Sequence, residues 1–250
     1  MNKKFDLRAR EHLDSAEGKR FYNREHFAES APRYDVATRG LSLGRDGSWK
    51  RALVEGLPPK ENAFCVDVAC GTGDVALLLA EKYPDARIEG VDLTTEMIAI
   101  AEKRNSNPRV QYRCGDMSRL ELPDQSVDVL TGSYAIRNAP DLETVLREFG
   151  RVMKENGSVA FLDFSKPRGR WRQAIQYWTL KLWGGFWGLV LHGNPEIHGY
   201  ISSSIKTYPD HEELERLFSK YGFRLESSRP FLHGMMRLYF LCFVPVSSQL

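Results

Sequence analysis

Two glycines and an acidic residue lie at the ends of two successive predicted strands of this 250-residue chain. The run 66–74 reads VDVACGTGD, so a strand ends, Gly71 and Gly73 allow a sharp turn, and a helix begins. Asp92 closes the next strand. At the carboxyl edge of parallel strands a ligand meets bare backbone and a helix N-terminus, and a carboxylate there can accept both hydroxyls of an adenosine ribose. The pattern predicts a site for an adenosine-containing ligand.

Residues next to the glycine turn and after the third strand help to distinguish a dinucleotide from other adenosine-containing ligands. The helix after the glycines begins with Asp74, whose charge would repel the pyrophosphate of a dinucleotide but suits a cationic amino acid. Ala76 replaces the third glycine of a dinucleotide-binding motif. After the third strand, Asp116 can accept from an adenine amino group, and Met117 can pack against the ring. Although the glycine turn alone would fit either ligand, the set favours S-adenosylmethionine over a dinucleotide.

Strands and helices alternate through the middle of the chain, which is typical of βαβ units in a parallel sheet. The predicted strands are 64–68, 87–91, 110–113, 127–131 and 158–163, and the predicted helices between them are 75–82, 96–104 and 142–153. Later elements are helices at 171–191 and 211–221 and an antiparallel pair of strands at 223–228 and 237–244. By analogy with small-molecule methyltransferases, we expect a doubly wound, Rossmann-like α/β fold. Its seven-stranded sheet is mostly parallel, with an antiparallel C-terminal strand and N-terminal helices.

The chain is predicted to divide into a helical cap, residues 1–57, and a methyltransferase domain, residues 58–250. A break at Ala31-Pro32 interrupts the cap. One apolar helical stripe occupies its last part: Trp49, Leu53 and Leu57. A helical substrate lid is predicted within the larger domain, at about 168–208.

Composition narrows the function classes. A net charge of +2 is too small to argue for nucleic acid, and no nucleic-acid partner is expected. Basic residues do cluster near the start, at Lys3, Lys4, Arg8, Arg10, Lys19, Arg20 and Arg24. Acidic residues interleave with them, so we interpret this segment as a solvated helical face. The four cysteines form no close pair, and neither a secretory signal nor a spanning stretch is evident, so free thiols and a cytoplasmic location are expected.

Short motifs along most of the chain carry a family resemblance. They are Tyr34-Asp35, Ser42-Leu43-Gly44, Trp49-Lys50-Arg51, the glycine turn 67–74, Arg137-Asn138, Phe164-Ser165-Lys166-Pro167, and Ser204-Ile205 with Pro209. With them the chain resembles the C-methyltransferases of menaquinone and ubiquinone biosynthesis from about residue 27 to 240. It departs from that family at Cys70, at Tyr134-Ala135 and at the turn 155–157, where glycine, Phe-Gly and Pro-Gly-Gly are usual.

The resemblance implies a reaction and its site. Methyl-donor contacts are expected from Asp67, Gly71, Thr72, Gly73, Asp92, Leu93, Met97, Asp116, Met117 and Ser133. Acceptor contacts are expected from Tyr134, Tyr200 and His233. The expected acceptor is a ring carbon of a demethylated prenyl quinol, and no metal is expected. Another aromatic or small-molecule acceptor, or a donor-binding subunit that has lost catalysis, remains open, as does a homodimer.

Methylation of a quinol carbon requires a base and a stabilised phenolate, because the carbon becomes nucleophilic when the ortho hydroxyl loses its proton. Arg137 is the expected phenolate stabiliser and Asn138 the residue that orients it. Since arginine is too basic to accept the proton readily, Asp74, a water or a histidine is expected to complete the relay. The alternative is that Arg137 simply pairs with a nearby acid such as Asp141. His198 and His233 are weaker catalytic candidates.

An aromatic-rich helix, 171–191, follows the fifth parallel strand. One stripe contains Trp171, Ile175, Trp178, Leu182, Phe186 and Leu189, and Trp183, Trp187 and Val190 widen it. Gly184, Gly185 and Gly188 suggest that this helix is mobile or broken. It is either a lid packed on the sheet or an entrance for a prenyl tail at a membrane interface, with Trp183 and Trp187 as the contact residues.

Overall fold

A seven-stranded sheet in the order β3-β2-β1-β4-β5-β7-β6 organises the protein in the computed structural model, which describes residues 11, 12 and 14–245. The strands are β1 (Phe64–Val68), β2 (Arg87–Asp92), β3 (Val110–Cys114), β4 (Val127–Ser133), β5 (Met153–Phe164), β6 (Phe223–Phe231) and β7 (Met236–Phe243). The helices are α1 (Ala16–Ser30), α2 (Tyr34–Leu41), α3 (Asp46–Glu55), α4 (Asp74–Lys82), α5 (Thr95–Arg104), α6 (Leu142–Val152), α7 (Arg170–His192), α8 (Glu196–Thr207) and α9 (His211–Lys220). The predicted fold class is confirmed.

The order and direction of the strands determine where a ligand-binding crevice can form. Strands β1 to β5 are parallel, and β1 lies between β2 and β4, so the winding direction reverses beside β1. In such sheets a crevice opens outside the carboxyl ends of the strands at the reversal. Strand β7 runs antiparallel between β5 and β6, as the predicted C-terminal hairpin requires.

Apolar layers cover both faces of the sheet. One layer joins α6 and α9 to the sheet through Phe149, Phe161 and Phe218, whose rings stack in sequence. The other joins α3 and α4 to it, and it includes the predicted stripe, of which Trp49 and Leu53 lie on α3 and Leu57 just after its end. Helix α3 is therefore part of the core, while the division of the chain at residue 57 stays a prediction.

Helices α1 and α2 contact residues that follow the carboxyl ends of β1, β3 and β4. Lys19 donates to the backbone oxygen of Arg137 at 3.1 Å, and Arg20 pairs with Asp116 at 2.5 Å. The interpretation of this segment as a solvated face is therefore wrong for Lys19 and Arg20, because both make tertiary contacts. Lys3, Lys4, Arg8 and Arg10 lie outside the described residues.

Helix α7 is continuous over 23 residues, so its glycines do not break it. A Cβ on Gly184 would lie 2.5 Å from the carbonyl oxygen of His198, and one on Gly188 would lie 2.6 Å from that of Asn194. The expectation of a broken helix is wrong, because the glycines instead allow α8 and the turn before it to pack closely, while mobility of α7 stays a prediction. Helix α8 completes the predicted helical region at 168–208.

The four cysteines are free, with Cys65 and Cys70 buried and Cys114 exposed. Within the described residues, no helix is both long enough and apolar enough to cross a membrane. In the same part of the chain, no group of histidine, cysteine and acidic side chains has the arrangement of a metal site.

Replacing Gly184 by alanine should destabilise the protein by about 1–3 kcal/mol, because the new methyl group meets backbone that cannot move independently. Gly199 on α8 is the matched control, since a Cβ there meets nothing within 4 Å. Gly199→Ala should be neutral or stabilise by up to about 1 kcal/mol. Urea unfolding of both variants measures the difference, and equal stabilities would contradict the packing role of Gly184.

Candidate active site

The turn between β1 and α4 presents bare backbone at one glycine and close packing at the other. Gly71 has φ +54°, and a Cβ there would meet only the ring of Tyr34, at 3.7 Å. Gly73 has φ +90°, and a Cβ there would lie 2.4 Å from the hydroxyl of Tyr112. Both positions favour glycine through their backbone conformation. Gly71 keeps space for a ligand, whereas Gly73 also makes room for a side chain of β3.

Asp92 lies directly against this turn, as its place at the end of β2 predicts. Its carboxylate accepts from the backbone N–H of Gly71 at 2.8 Å and of Thr94 at 2.9 Å. Burial raises the pKa of Asp92, and the two amide bonds oppose that rise. The structure therefore joins the glycine turn and the second acid into one site.

Asp67 on β1 supplies a second carboxylate beneath the turn. Thr131 donates to its Oδ1 at 2.7 Å, while its Oδ2 has no hydrogen-bond partner although the residue is only 1% exposed. Burial raises the pKa of Asp67 to about 7. A buried carboxylate oxygen without a partner is suited to a cationic group of a ligand.

The adenine end of the predicted donor site is held by α1. Asp116 accepts from Ser118 and pairs with Arg20, which the sequence did not indicate. Burial would raise the pKa of Asp116, but these bonds and the charge of Arg20 lower it. Four more predicted donor-site residues lie at the same edge, following or ending β2, β3 and β4 or opening α5: Leu93, Met97, Met117 and Ser133.

Hydrogen bonds and ion pairs connect α2 and α3 to the glycine turn and the start of α4. The Thr72 hydroxyl donates to Asp35 at 2.7 Å, and Arg104 bridges Asp35 and Asp74. Lys50 takes the other oxygen of Asp74 at 3.0 Å. Burial alone would raise the pKa of Asp74, but the two cations lower it. A carboxylate held in this way is a poor proton acceptor, so the contacts do not support the predicted relay role of Asp74.

Beside the donor turn, a cavity of about 340 Å³ opens between α1, α2, α7, α8 and the ends of β4 and β5. Its lining is mainly apolar and aromatic. The lining residues are His26, Phe27, Ser30, Tyr34, Ala37, Thr38, Leu41, Ser42, Leu43, Trp49, Tyr134, Arg137, Asn138, Phe164, Thr179, Leu180, Trp183, His198, Tyr200, Ile201, Leu232, Met235 and Met236. Predicted residues Arg137, Asn138, Tyr134 and Tyr200 thus meet here, whereas His233 is absent from this lining although its neighbour Leu232 is present.

Arg137 is buried at this cavity and is held by an acid, but not by the one considered from sequence. Its backbone N–H donates to Asp163 at 2.9 Å, and its Nε lies 3.6 Å from the same carboxylate. Its Nη1 donates to Ser204 at 2.5 Å. Asp141 instead caps α6 by accepting from Thr144. The guanidinium therefore stays charged inside the protein.

Asn138 and Tyr200 line the cavity beside Arg137 and are hydrogen-bonded to each other. The Tyr200 hydroxyl donates to Oδ1 of Asn138, whose amide donates to the backbone oxygen of Tyr134 at 2.9 Å. The backbone oxygen of Asn138 accepts from Asn23 of α1 at 2.7 Å. Sequence reasoning missed Asn23 and His26, because neither belongs to a recognisable motif.

The comparison with known families decides the assignment. Residues 15–240 match the model of the ubiE/COQ5 methyltransferase family. The chain belongs to the ubiE/COQ5 methyltransferase family. It is therefore an S-adenosylmethionine-dependent methyltransferase, as the sequence predicts, and the residues around its glycine turn fit that donor. Gly71 offers a cradle that a Cβ would narrow, and Asp67 offers an unpartnered carboxylate oxygen to a cation.

Individual relatives agree with this assignment. A demethylmenaquinone methyltransferase of Thermotoga maritima is 33% identical over 200 residues, which cover 80% of this chain and 86% of that one. A 2-phytyl-1,4-naphtoquinone methyltransferase of Thermosynechococcus vestitus is 31% identical and covers 85% and 95%.

Solved structures share the fold of this methyltransferase at low identity. A SAM-dependent methyltransferase from Aquifex aeolicus matches with a TM-score of 0.57 and 17% identity, covering 78% of this chain and 89% of that one. Geranyl diphosphate C-methyltransferase from Streptomyces coelicolor, in a complex that contains S-adenosyl-L-homocysteine, matches with a TM-score of 0.60 and 13% identity, covering 80% and 79%.

Donor binding should weaken as the pH falls from 8 to 6, because a carboxylate such as Asp67 attracts a cation only in its ionised form. With a pKa of about 7, this carboxylate is roughly nine-tenths ionised at pH 8 and one-tenth at pH 6, so affinity should fall roughly tenfold. Isothermal titration calorimetry with S-adenosylmethionine measures the change. Asp67→Asn should bind more weakly at pH 8 and lose this dependence, and equal wild-type affinities at both pH values would contradict the role.

Proposed function

We propose that this methyltransferase transfers a methyl group to a ring carbon of a demethylated prenyl quinol. The observation that carries the proposal is a mainly apolar cavity, beside the donor turn, with one buried guanidinium and an amide at its inner end. An aromatic ring with an attached hydrocarbon tail suits apolar walls, and its hydroxyls suit the polar end. The relatives named above as quinone methyltransferases support the same acceptor class.

The polar end of the cavity suits a developing phenolate. When bound, S-adenosylmethionine supplies the methyl group as a good electrophile. Arg137 places a fixed positive charge at the cavity, where the low dielectric strengthens its attraction for an oxyanion. Asn138 is held by Tyr200 and Tyr134, so its position is set before the acceptor arrives. These residues together would hold the quinol in line and raise the electron density of its ring.

A labelled-donor assay tests the function. The purified chain is incubated with S-adenosylmethionine carrying a labelled methyl group and a panel of demethylated naphthoquinols and benzoquinols, and products are analysed by mass spectrometry. We expect label on a ring carbon of at least one quinol. Label on an oxygen, or no transfer to any quinol of the panel, would contradict the proposal.

Arg137 should be required for turnover and dispensable for donor binding. Removing it alone would leave Asp163 as a buried unpaired charge, which is strongly destabilising. The double variant R137A/D163N removes both charges, and Asp163→Asn is its matched single control. We expect the double variant to lose about 10²–10³-fold in turnover, comparable with loss of a donor to an oxyanion. Its affinity for S-adenosylhomocysteine should stay within twofold of the control, and normal turnover would overturn the assignment.

We further propose that α7 contacts the membrane surface from which a lipophilic quinol enters. One stripe of large apolar side chains on this helix is exposed: Trp171, Ile175, Trp178, Leu182, Phe186 and Leu189. Trp171 is 84% exposed and Leu182 is 69% exposed. The helix contains no acidic residue, and Arg170, Arg172 and Lys181 are available to anionic headgroups.

The opposite face of α7 belongs to the cavity. Leu180 and Trp183 line it, and the Trp183 indole donates to the backbone oxygen of Leu41 at 3.3 Å. Trp187 packs against Gly40, where an added Cβ would lie 2.5 Å from its ring. The expectation that Trp183 and Trp187 make the membrane contact is therefore corrected, because both rings pack against α2. One helix thus separates the exposed stripe from the acceptor cavity.

Vesicle flotation tests the contact with the triple variant W171S/W178S/F186S. With vesicles of phosphatidylcholine and phosphatidylglycerol, we expect wild-type protein to float and the variant to lose most of this binding, because three exposed rings no longer enter the interface. The control variant F21S/V36S removes exposed apolar side chains from α1 and α2 instead. Equal flotation of the triple variant and wild type would contradict the contact, as would wild-type protein that does not float.

A further inference from the structure

The acceptor cavity holds few groups that can receive a proton. Among its described lining residues there is no aspartate, glutamate, lysine or cysteine. Arg137 stays protonated, and burial raises the pKa of the lining tyrosines Tyr34, Tyr134 and Tyr200. These groups therefore keep their protons and do not serve as proton acceptors. Two histidines, His26 on α1 and His198 on α8, are the remaining lining groups that can titrate.

His198 combines burial with an unused ring nitrogen. The residue is 5% exposed, and its Nε2 has no hydrogen-bond partner. Burying a polar nitrogen without a partner is costly, so such an atom on a residue that lines the cavity points to a ligand. Burial lowers the pKa of His198 to about 4, so its imidazole is neutral near pH 7 and can accept. His26 instead lies against aromatic rings, 5.5 Å from that of Tyr22 and 4.8 Å from that of Tyr200.

We propose that His198 accepts the proton of the acceptor hydroxyl during methyl transfer. The inference rests on the proposed function, and it assigns the proton acceptor that Arg137 and Asn138 do not supply. His198 is two residues before Tyr200 on α8, and the Arg137 guanidinium lies 5.4 Å from the Tyr200 ring. Helix α8 therefore carries the proton acceptor and the residue that packs on the phenolate-stabilising cation.

The proton and electron balance of the step is complete. The hydroxyl proton passes to Nε2 of His198, and the electron pair of the O–H bond stays on oxygen and raises the density at the ortho carbon. That carbon forms a bond to the methyl group while the methyl–sulfur bond breaks and its electron pair returns to sulfur. The ring carbon then loses its hydrogen as a proton, His198 returns its proton to the oxygen, and one proton in total leaves to solvent.

Stabilisation of the phenolate makes this transfer feasible although the imidazole is a weak base. Arg137 stabilises the phenolate oxygen, and the imidazolium and the phenolate attract each other in a low dielectric. The titratable groups around His198 are His192 of α7, whose ring centre lies 5.2 Å away, and His26 of α1. Both stay neutral near pH 7, because burial lowers their pKa values. His192 does not belong to the cavity lining, so it provides a matched control.

Substitution with chemical rescue tests the assignment, using the best quinol of the panel. We expect His198→Ala to lose at least 100-fold in kcat with donor affinity within twofold of wild type, and imidazole in solution to restore part of the rate. His198→Gln keeps a polar group but cannot take up the proton, so it should remain slow. His192→Gln should retain wild-type kcat.

Three results would overturn the assignment: normal turnover of the alanine variant, a loss that imidazole does not relieve, or recovery in the glutamine variant. If the alanine variant fails to fold, His198→Asn takes its place in the same measurements. A binding experiment does not depend on turnover. Quenching of tryptophan fluorescence by 1-naphthol should require higher concentrations in His198→Ala than in His192→Gln, and equal curves would overturn the contact. Failure of the wild-type chain to methylate any quinol would instead contradict the proposed function.

Discussion

The buried pairing of Arg137 with Asp163 is the constraint around which the acceptor half of the molecule is arranged. A guanidinium inside a protein is stabilised by a nearby carboxylate and by hydrogen bonds to its donors. Asp163 on β5 supplies the carboxylate and Ser204 on α8 accepts from Nη1, whereas Nε has no hydrogen-bond partner among the described residues. Lys19 of α1 binds the backbone oxygen of the same arginine. Arg137 thus contacts three other elements, α1, β5 and α8, beside the cavity. The cost of separating the pair keeps this charge in a fixed place.

The N-terminal helices complete both halves of the site. Helix α1 reaches the donor half through Arg20 on Asp116 and the acceptor half through Asn23 on the backbone of Asn138. Helix α2 adds Asp35, which holds Thr72 of the glycine turn. One ion pair and two hydrogen bonds make these contacts, and each is individually weak, on the order of 1 kcal/mol. Several of them spread along two helices nevertheless define a common wall for the glycine turn and the cavity.

Helix α7 has two different surfaces because its small and large residues alternate around the axis. Gly184 and Gly188 allow α8 to approach, and Trp183 turns toward the cavity. The remaining large side chains, such as Trp171 and Leu182, are left to solvent. Spacing along the sequence identified the exposed stripe, including Trp171 and Trp178, but wrongly added Trp183 and Trp187 to it. Which side chains of α7 face the protein interior depends on where α2 and α8 pack, and residue spacing within α7 does not contain that information.

The sequence by itself determined the sheet, the glycine turn and the acid at Asp92. These follow from local rules, since parallel strands end at one edge and a tight turn requires residues that tolerate positive φ. Tertiary structure alone decided that Arg137 pairs with Asp163 rather than Asp141, and that His198 shares a cavity with Arg137. Residues far apart in the chain meet in these contacts, and the free energy of burying a charge or a polar ring is set only when all of the packed elements are in place.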